Sequence, residues 1–352
     1  MIPYLWGKIT MKKLVLTDFK HIEMVEGEIP VPGPGQAVVR IRYAGICGSD
    51  LHVFSGLHPS ARVPLVMGHE GCGELYAIND SRTDVKVGDK VCVHTISPCN
   101  SCEYCTTGRE NLCQDVKIMG TNFDGVFTQY MLADAKRLIR FDDHVDLKLA
   151  ALAEPLTVAV HDVRRSNLQV GESVFITGAG PIGLIIGMLA KYSGATQVVF
   201  SELNPLRIAM AQEFGFTVLN PEAPDFEQAC RAANGGSAFD AAFEITSVQS
   251  GFNTCLSQVK KGGVVIQVGM PPAGSQRSVD IDKIIFGETE LRGVRHHTIS
   301  DMQCAVNIIN SGTMNSMLSR LITAVYPMAD YAKALERAAS DKSMLRVLMD
   351  FS

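Results

Sequence analysis

Hydrophobic residues fall along this chain in two different rhythms. Between Lys12 and Arg42, short apolar segments at Leu14 to Leu16 and Ala37 to Ile41 are broken by Pro30, Pro32, Gly33, Pro34 and Gly35. Such punctuation predicts strands joined by turns and leaves no room for a helical period. The texture continues through Val85 to Val93, with its Val87-Gly88-Asp89 turn, and through the strand-like Gly125 to Leu132. After Pro155 the chain reads as a helix over Thr157 to Arg165, and from Ser173 the rhythm changes. Apolar runs at Val174 to Ile176, Val198 to Ser201, Ala241 to Glu244 and Val264 to Val268 alternate with helical stretches at Leu184 to Tyr192, Arg207 to Phe214 and Gly251 to Lys260. Strand and helix in alternation predict a parallel sheet covered on both faces. Past Gly293 two helical segments, Met302 to Ser311 and Met328 to Ser340, precede a closing strand at Leu345 to Phe351.

These rhythms predict an α/β protein in which a doubly wound parallel-sheet domain interrupts a β-rich one. The boundaries drawn from the pattern are 11–160 with 295–352 for the β-rich domain and 161–294 for the inserted one. A chain of 352 residues suits two domains, each able to bury a core. Residues 1–10 hold only a short apolar patch at Tyr4, Leu5 and Trp6, without the basic start of an export signal, and read as a flexible extension before Met11.

Composition narrows the function. A net charge of -5 offers no basic field for nucleic acid. No apolar run reaches the roughly 20 residues of a membrane helix, so a soluble, cytoplasmic protein is expected. Ten cysteines in so long a chain, four of them crowded between Cys99 and Cys113, point to metal in a reducing compartment rather than to disulfides.

The stretch Val174-Phe175-Ile176-Thr177-Gly178-Ala179-Gly180-Pro181-Ile182-Gly183 carries the clearest chemistry. A strand that breaks at glycines and resumes as a helix is the setting a dinucleotide turn requires. Gly178 suits the turn, Gly180 admits a pyrophosphate to the main chain, and Gly183 lets helix and strand pack closely. The next strand ends at Glu202, whose carboxylate can accept both ribose hydroxyls and would repel a 2'-phosphate, so NAD is expected over NADP.

Two metal centres are expected. Cys99, Cys102, Cys105 and Cys113 can surround one zinc ion tetrahedrally and leave no position open, which makes that site structural. Elsewhere Cys47, His69, Glu70 and Glu154 are the candidate donors for a second ion, and one thiolate, one imidazole and one carboxylate would leave a position free for water or substrate. Cys72, Cys92, Cys230, Cys255 and Cys304 read as isolated core thiols, and His94, His144 and His161 have no partner by spacing.

Taken together, Cys47, Gly68-His69-Glu70, Ala153-Glu154-Pro155, the four-cysteine loop and the glycine turn make the chain resemble the zinc-dependent medium-chain alcohol dehydrogenase family from Met11 to Phe351. Glu154, where simple alcohol enzymes have a second cysteine, points to the sorbitol (polyol) dehydrogenase-like branch. The resemblance implies a GroES-like catalytic domain beside a Rossmann-type domain, and a homodimer or homotetramer. It implies that Cys47 and His69 bind the catalytic zinc, with Glu70 and Glu154 as alternating or water-mediated ligands, and that Ser49 and His52 form the proton path. For the cofactor it implies Gly178, Gly180, Pro181, Ile182, Gly183, Glu202 and Arg207, with Val268, Gly269, Met270, Val294, Arg295 and His296 on the nicotinamide side, and a substrate cleft lined by the region of Arg295, His296 and His297.

Three departures qualify the match. Thr246-Ser247 stands where threonine or serine followed by glycine is usual, Glu202 replaces the commoner aspartate, and Arg295-His296-His297 lies where arginine then tyrosine is usual.

The expected reaction is oxidation of a secondary alcohol of a polyol, sugar alcohol or sugar acid to a ketone, with two zinc ions per chain and NAD. An aliphatic hydroxyl with a pKa near 16 costs about 12 kcal/mol to ionise at neutral pH, and zinc can remove most of that. A threonine-type β-hydroxy amino acid dehydrogenase shares the same donor set. A redox sensor that binds zinc and nucleotide without catalysis is the reading from another class, disfavoured because it needs no open metal position.

Overall fold

The computed structural model describes residues 10–271 and 274–352. The extension expected at the N-terminus lies outside the described residues except for Thr10, which already opens the first strand. The chain divides into two compact units, one running to Glu154 and resuming at Thr298–Ser352, the other Pro155–His297.

The first unit is built on β strands. β1 (Thr10–Asp18) pairs antiparallel with β2 (His21–Glu28), and β3 (Gln36–Gly45) starts the main sheet. β4 (Leu65–Val66) adds to β1, while β5 (Glu70–Asn79) and β6 (Lys90–Val93) extend the main sheet from β3. The short β7 (Ile96–Ser97) and β8 (Lys117–Ile118) form their own ribbon. β9 (Tyr130–Asp134) pairs with β3, and β10 (Leu138–Arg140) with β6. β1 alternates buried and more exposed residues through its middle, whereas β3 buries Ala37, Val38 and Val39 in succession because it is an inner strand of the main sheet. Leu14, Leu16, Val39, Ile41, Met67 and Phe127 meet in one core.

The second unit contains a six-stranded parallel sheet. Its strands are β11 (Ser173–Thr177), β12 (Gln197–Ser201), β13 (Thr217–Leu219), β14 (Phe239–Glu244), β15 (Val259–Gln267) and β16 (Glu290–Gly293). Their spatial order is β13-β12-β11-β14-β15-β16, the doubly wound dinucleotide-fold order, with its switch point between β11 and β14. All five residues of β11 are buried, which is why the strand reads as an unbroken apolar run rather than an alternation.

The chain then returns to the first unit, where β17 (Ile322–Pro327) and β18 (Arg346–Asp350) complete the main sheet in the order β10-β6-β5-β3-β18-β17. β18 runs antiparallel to β3, so the last strand of the chain closes a sheet begun near its start. Met349 and Phe351 from this end enter the same core, where Phe351 stacks on Phe127 at 6.5 Å between ring centroids.

The α/β class and the two kinds of sheet match the sequence reading. Several elements differ. The helix expected after Pro155 begins earlier, at Ala153, and runs to Ser166. Proline is tolerated in a first helical turn because its missing N–H has no intrahelical partner to lose. A short helix, Gly48–Phe54, follows Cys47 where no helix was expected, and the half-buried β17 and the three-residue β13 carried too weak a pattern to be seen. Cys72 and Cys92 are not isolated: they stand opposite each other across β5 and β6.

Candidate active site

Two groups of possible metal ligands lie in the first unit. In the loop, the sulfurs of Cys99, Cys102, Cys105 and Cys113 all lie within 4.8 Å of one another. Cys99 and Cys105 are 3.9 Å apart and Cys102 and Cys105 3.5 Å, close to the roughly 3.8 Å between sulfurs of a tetrahedron with 2.3 Å zinc bonds. Backbone N–H groups point at these sulfurs: Cys102 donates to Cys99, and both Cys99 and Asp115 donate to Cys113. Hydrogen bonds led by the Ser101 N–H lower the pKa of the Cys99 thiol to about 6, toward the thiolate form that zinc takes up. The donor set fits zinc.

The second group is Cys47, His69 and Glu70, whose donor atoms also fall within 4.8 Å of one another. Cys47 caps the N-terminus of the Gly48–Phe54 helix, and Glu70 opens β5 immediately after His69. Asp50, which the sequence reading did not single out, braces the first two ligands at once. Its Oδ2 accepts the Cys47 N–H at 2.8 Å and its Oδ1 lies 3.3 Å from His69 Nδ1. With Nδ1 engaged there, Nε2 is the nitrogen left to face a metal. Burial pushes the His69 pKa down, but the Asp50 carboxylate and Cys47 together outweigh it and raise the pKa well above the usual value.

Glu70 is held from the other side. It is 1% exposed, and its Oε1 accepts from Arg346 of β18 at 3.0 Å. The carboxylate reaches β18 by lying over Gly45 of β3, where any Cβ would sit 2.3 Å from Glu70 Oε2. Burial raises the pKa of Glu70 and nearby Glu154 adds to the rise, against the lowering effect of Arg346. The remaining oxygen, Oε2, is buried with no hydrogen-bond partner, which is the acceptor a cation would satisfy. Glu154, also buried, interacts electrostatically with Glu70 but is not one of the three clustered donors. Ser49 Oγ stands 3.5 Å from His69 Nε2, and His52 is exposed one helical turn further on.

Arg346 was also missed in the sequence. The available signal was one charge inside the apolar run Leu345 to Met349. Asp50 had a fainter one, a carboxylate three residues after a cysteine at a helix start.

In the second unit the glycine turn leads from β11 into the helix Pro181–Tyr192, with Gly180 as its N-cap and Pro181 in the first turn. A Cβ at Gly183 would lie 2.2 Å from the Gly178 carbonyl oxygen, so only glycine lets this helix start against the turn. Among the described residues beyond its chain neighbours, only the Arg207 guanidinium comes within 4 Å of a Cβ at Gly180, which leaves the main chain open to a phosphate.

Glu202 is more committed than the sequence suggested. Its Oε2 accepts from the Ala179 N–H at 2.9 Å, and its Oε1 from Leu203 and Asn204 at 2.8 and 2.9 Å. A carboxylate has about four acceptor positions, so roughly one remains for a ribose hydroxyl. Arg207 Nη1 is 4.0 Å away. Among the remaining residues expected near the cofactor, Met270 and Arg295 are exposed, Ile182, Val268, Gly269, Val294 and His296 are half-buried or exposed, and the neighbouring His297 is buried.

Residues 33–143 match the alcohol dehydrogenase GroES-like domain and residues 181–311 the zinc-binding dehydrogenase domain. The chain belongs to the zinc-binding dehydrogenase family. This dehydrogenase is 32% identical over 344 residues to the L-galactonate-5-dehydrogenase of Escherichia coli, covering 97% of this chain and 99% of that protein. Its fold matches the crystal structure of L-idonate 5-dehydrogenase from Escherichia coli with a TM-score of 0.87 at 30% identity, over 97% and 98% of the two chains. A zinc-binding dehydrogenase from Sinorhizobium meliloti, solved bound to NADP, matches with a TM-score of 0.89 at 27% identity, over 97% and 99%. These relatives agree with the polyol branch that Glu154 suggested, and the dehydrogenase is an enzyme of zinc and a nicotinamide dinucleotide. Among the described residues no helix is long and apolar enough to cross a membrane.

Proposed function

We propose that this dehydrogenase oxidises a secondary hydroxyl of a polyol or sugar acid to a ketone, with NAD as the hydride acceptor. The observation that carries the reading is the convergence of Cys47, His69 and Glu70, with Glu70 Oε2 buried and unpartnered. A zinc ion at that point would act as a Lewis acid, lowering the pKa of a coordinated hydroxyl toward neutrality. NAD would supply the electron-deficient ring that takes the hydride. Cys47 and His69 would hold the ion, Asp50 fixes both, and Glu70 or Glu154 would supply the further carboxylate donor. Ser49 takes the hydroxyl proton and hands it to His52, which shares its helix face and reaches solvent. The four-cysteine loop holds a second, structural zinc. A 2'-phosphate beside the Glu202 carboxylate would meet repulsion, which supports NAD over NADP.

Relatives named for L-galactonate and L-idonate support a sugar-acid substrate, and exposed Arg295 supplies a cation for a carboxylate. The test is a panel of aldonates, polyols, L-threonine and a simple secondary alcohol, each with NAD and with NADP, followed by absorbance of the reduced cofactor. The aldonates or polyols should give the highest kcat/KM, with NAD preferred. A lead for L-threonine or the simple alcohol would overturn the substrate reading, and parity with NADP the cofactor reading.

A homo-oligomer joined along β16, one of the two edge strands of the parallel sheet, belongs to the same proposal. Leu291 on that edge and Ile281, Ile285 and Phe286 on the preceding helix are exposed, Phe286 by 73%. Two copies of β16 paired antiparallel about Leu291 would set Glu290 of each opposite Arg292 of the other, a self-complementary pattern. Light scattering should give a dimer or larger, and Leu291→Glu with Phe286→Glu a monomer. A monomeric wild-type chain would refute it, as would an unaltered mass in the variant.

A further inference from the structure

Beneath the mouth of the parallel sheet lies a carboxylate to which the reaction assigns no part. Glu244, the last residue of β14, is 0% exposed. In register it stands between Thr177 at the end of β11 and Gln267 at the end of β15, on the switch-point side where doubly wound sheets receive a dinucleotide. No cation is paired with it among the described residues. It is satisfied by neutral donors alone: the Thr246 hydroxyl, the Ser247 N–H at 3.0 and 3.2 Å from its two oxygens, and the Gln267 side-chain amide. Its own backbone carbonyl accepts from Val268 at 3.0 Å and Gly269 at 2.8 Å. Gln267 reaches on to the Gly269 carbonyl at 2.8 Å. One residue thus ties together the two segments that leave the sheet at its carboxyl edge, 245–247 and 267–269.

The segment it pins is strained. Ser247 has φ 61, the left-handed region that a residue with a side chain adopts only when its surroundings hold it there. This is the position where the family resembled by the sequence carries glycine. Ser247 fills that backbone shape with its N–H shared between both Glu244 oxygens. The fit to the neighbouring segment is close: a Cβ at Gly269 would lie 2.6 Å from Ser247 Oγ and 2.7 Å from both Ser247 N and the Ile245 carbonyl oxygen. On the other side, the Thr246 methyl is 3.2 Å from the place a Cβ would take at Gly178, so the pinned segment abuts the glycine turn itself.

We propose that Glu244 is a positioning residue for the dinucleotide, a buried clasp that holds Ser247 in a glycine-like conformation and so sets the rim formed by residues 245–247 and 267–269 before the cofactor arrives. Its place in the chemistry is indirect, through the serine that it restrains. A glycine at 247 would take the same conformation unaided, and would make the clasp largely unnecessary. Glu244→Gln sets an amide donor against the Gln267 amide and loosens the clasp without emptying the space.

The experiment is a cycle of Glu244→Gln, Ser247→Gly and their combination in the zinc-loaded protein. NADH and NADPH dissociation constants are titrated by fluorescence, and melting temperatures are taken without cofactor. Ser247→Gly alone should melt at or above the wild-type temperature and bind the preferred dinucleotide within about twofold. Glu244→Gln should weaken binding by about tenfold or more, and adding Ser247→Gly should restore most of it. A carboxylate that merely filled the core would show no such rescue, so a double variant that binds no better than Glu244→Gln overturns the proposal. Unchanged binding in Glu244→Gln overturns it equally. Should Glu244→Gln fail to fold, Gln267→Met takes its place, with weaker binding expected and the same rescue by Ser247→Gly deciding the matter. A wild-type chain that bound neither NADH nor NADPH would fell the dinucleotide reading itself, an outcome distinct from failure of the clasp.

Discussion

Four sulfurs between Cys99 and Cys113 surround one point on a surface loop, supported by backbone N–H groups and the Ser101 hydroxyl. Cys47, His69 and Glu70 surround another point, but behind them stand Asp50 and Arg346, both almost wholly buried. The difference follows from what each centre must leave open. A closed tetrahedron is shaped by the metal and contributes folding free energy directly. A centre with a free position cannot rely on the metal for its shape, so the protein fixes each ligand from behind. Asp50 and Arg346 do that with charges of opposite sign.

The sharpest way to break the comparison is to remove one ligand from each centre. Cys47→Ser or His69→Ala should take turnover to the limit of detection while leaving the fold, NADH binding and one zinc per chain. Cys99→Ser should do the reverse, lowering the melting temperature by roughly 5–10 °C and losing the loop metal. Zinc counting beside calorimetry reads both, and equal loss of soluble protein from the two kinds of variant would erase the distinction.

The next largest effect tests the buried pair. Arg346→Met leaves the Glu70 charge without its partner and should cost about 3–5 kcal/mol in denaturant unfolding. Adding Glu70→Gln should recover much of that, since a neutral pair needs no counter-charge. A double variant as unstable as the single would mean that Arg346 acts by packing alone. Asp50→Asn is the mildest change, because it keeps the Cys47 bond while weakening the hold on His69. Zinc affinity at the open centre, or kcat, should fall by about 10–100-fold, with the loop zinc retained; loss from the loop instead would contradict the assignment.

What the sequence disclosed, and what it hid, follow the same division. The four cysteines and the glycine turn are local, so their spacing alone announces them, and the alternation after Ser173 is strong enough to predict a parallel sheet. Cys47, His69 and Glu70 stood out by residue type, and the structure brings them together. Asp50 and Arg346 did not stand out, because their meaning lies in partners that only tertiary structure supplies; Arg346 meets Glu70 across 276 positions of chain. Glu202 was legible as the acid after the second strand, but not the backbone N–H groups that already occupy much of it. The helix at Ala153 was placed too late because proline was read as a barrier rather than as a first-turn residue.

In sequence the whole inserted unit separates β18 from β3. β18 is made after that unit, yet it lies beside β3 and carries a guanidinium that neutralises Glu70. During synthesis the inserted parallel-sheet unit emerges whole and can fold as soon as it clears the ribosome. The first unit cannot, since the open sheet edge at β3 waits for residues still to be translated. A chain ending before Arg346 would therefore contain every candidate zinc ligand and leave Glu70 without its counter-charge. The open metal centre is thus completed only after the inserted unit has been made.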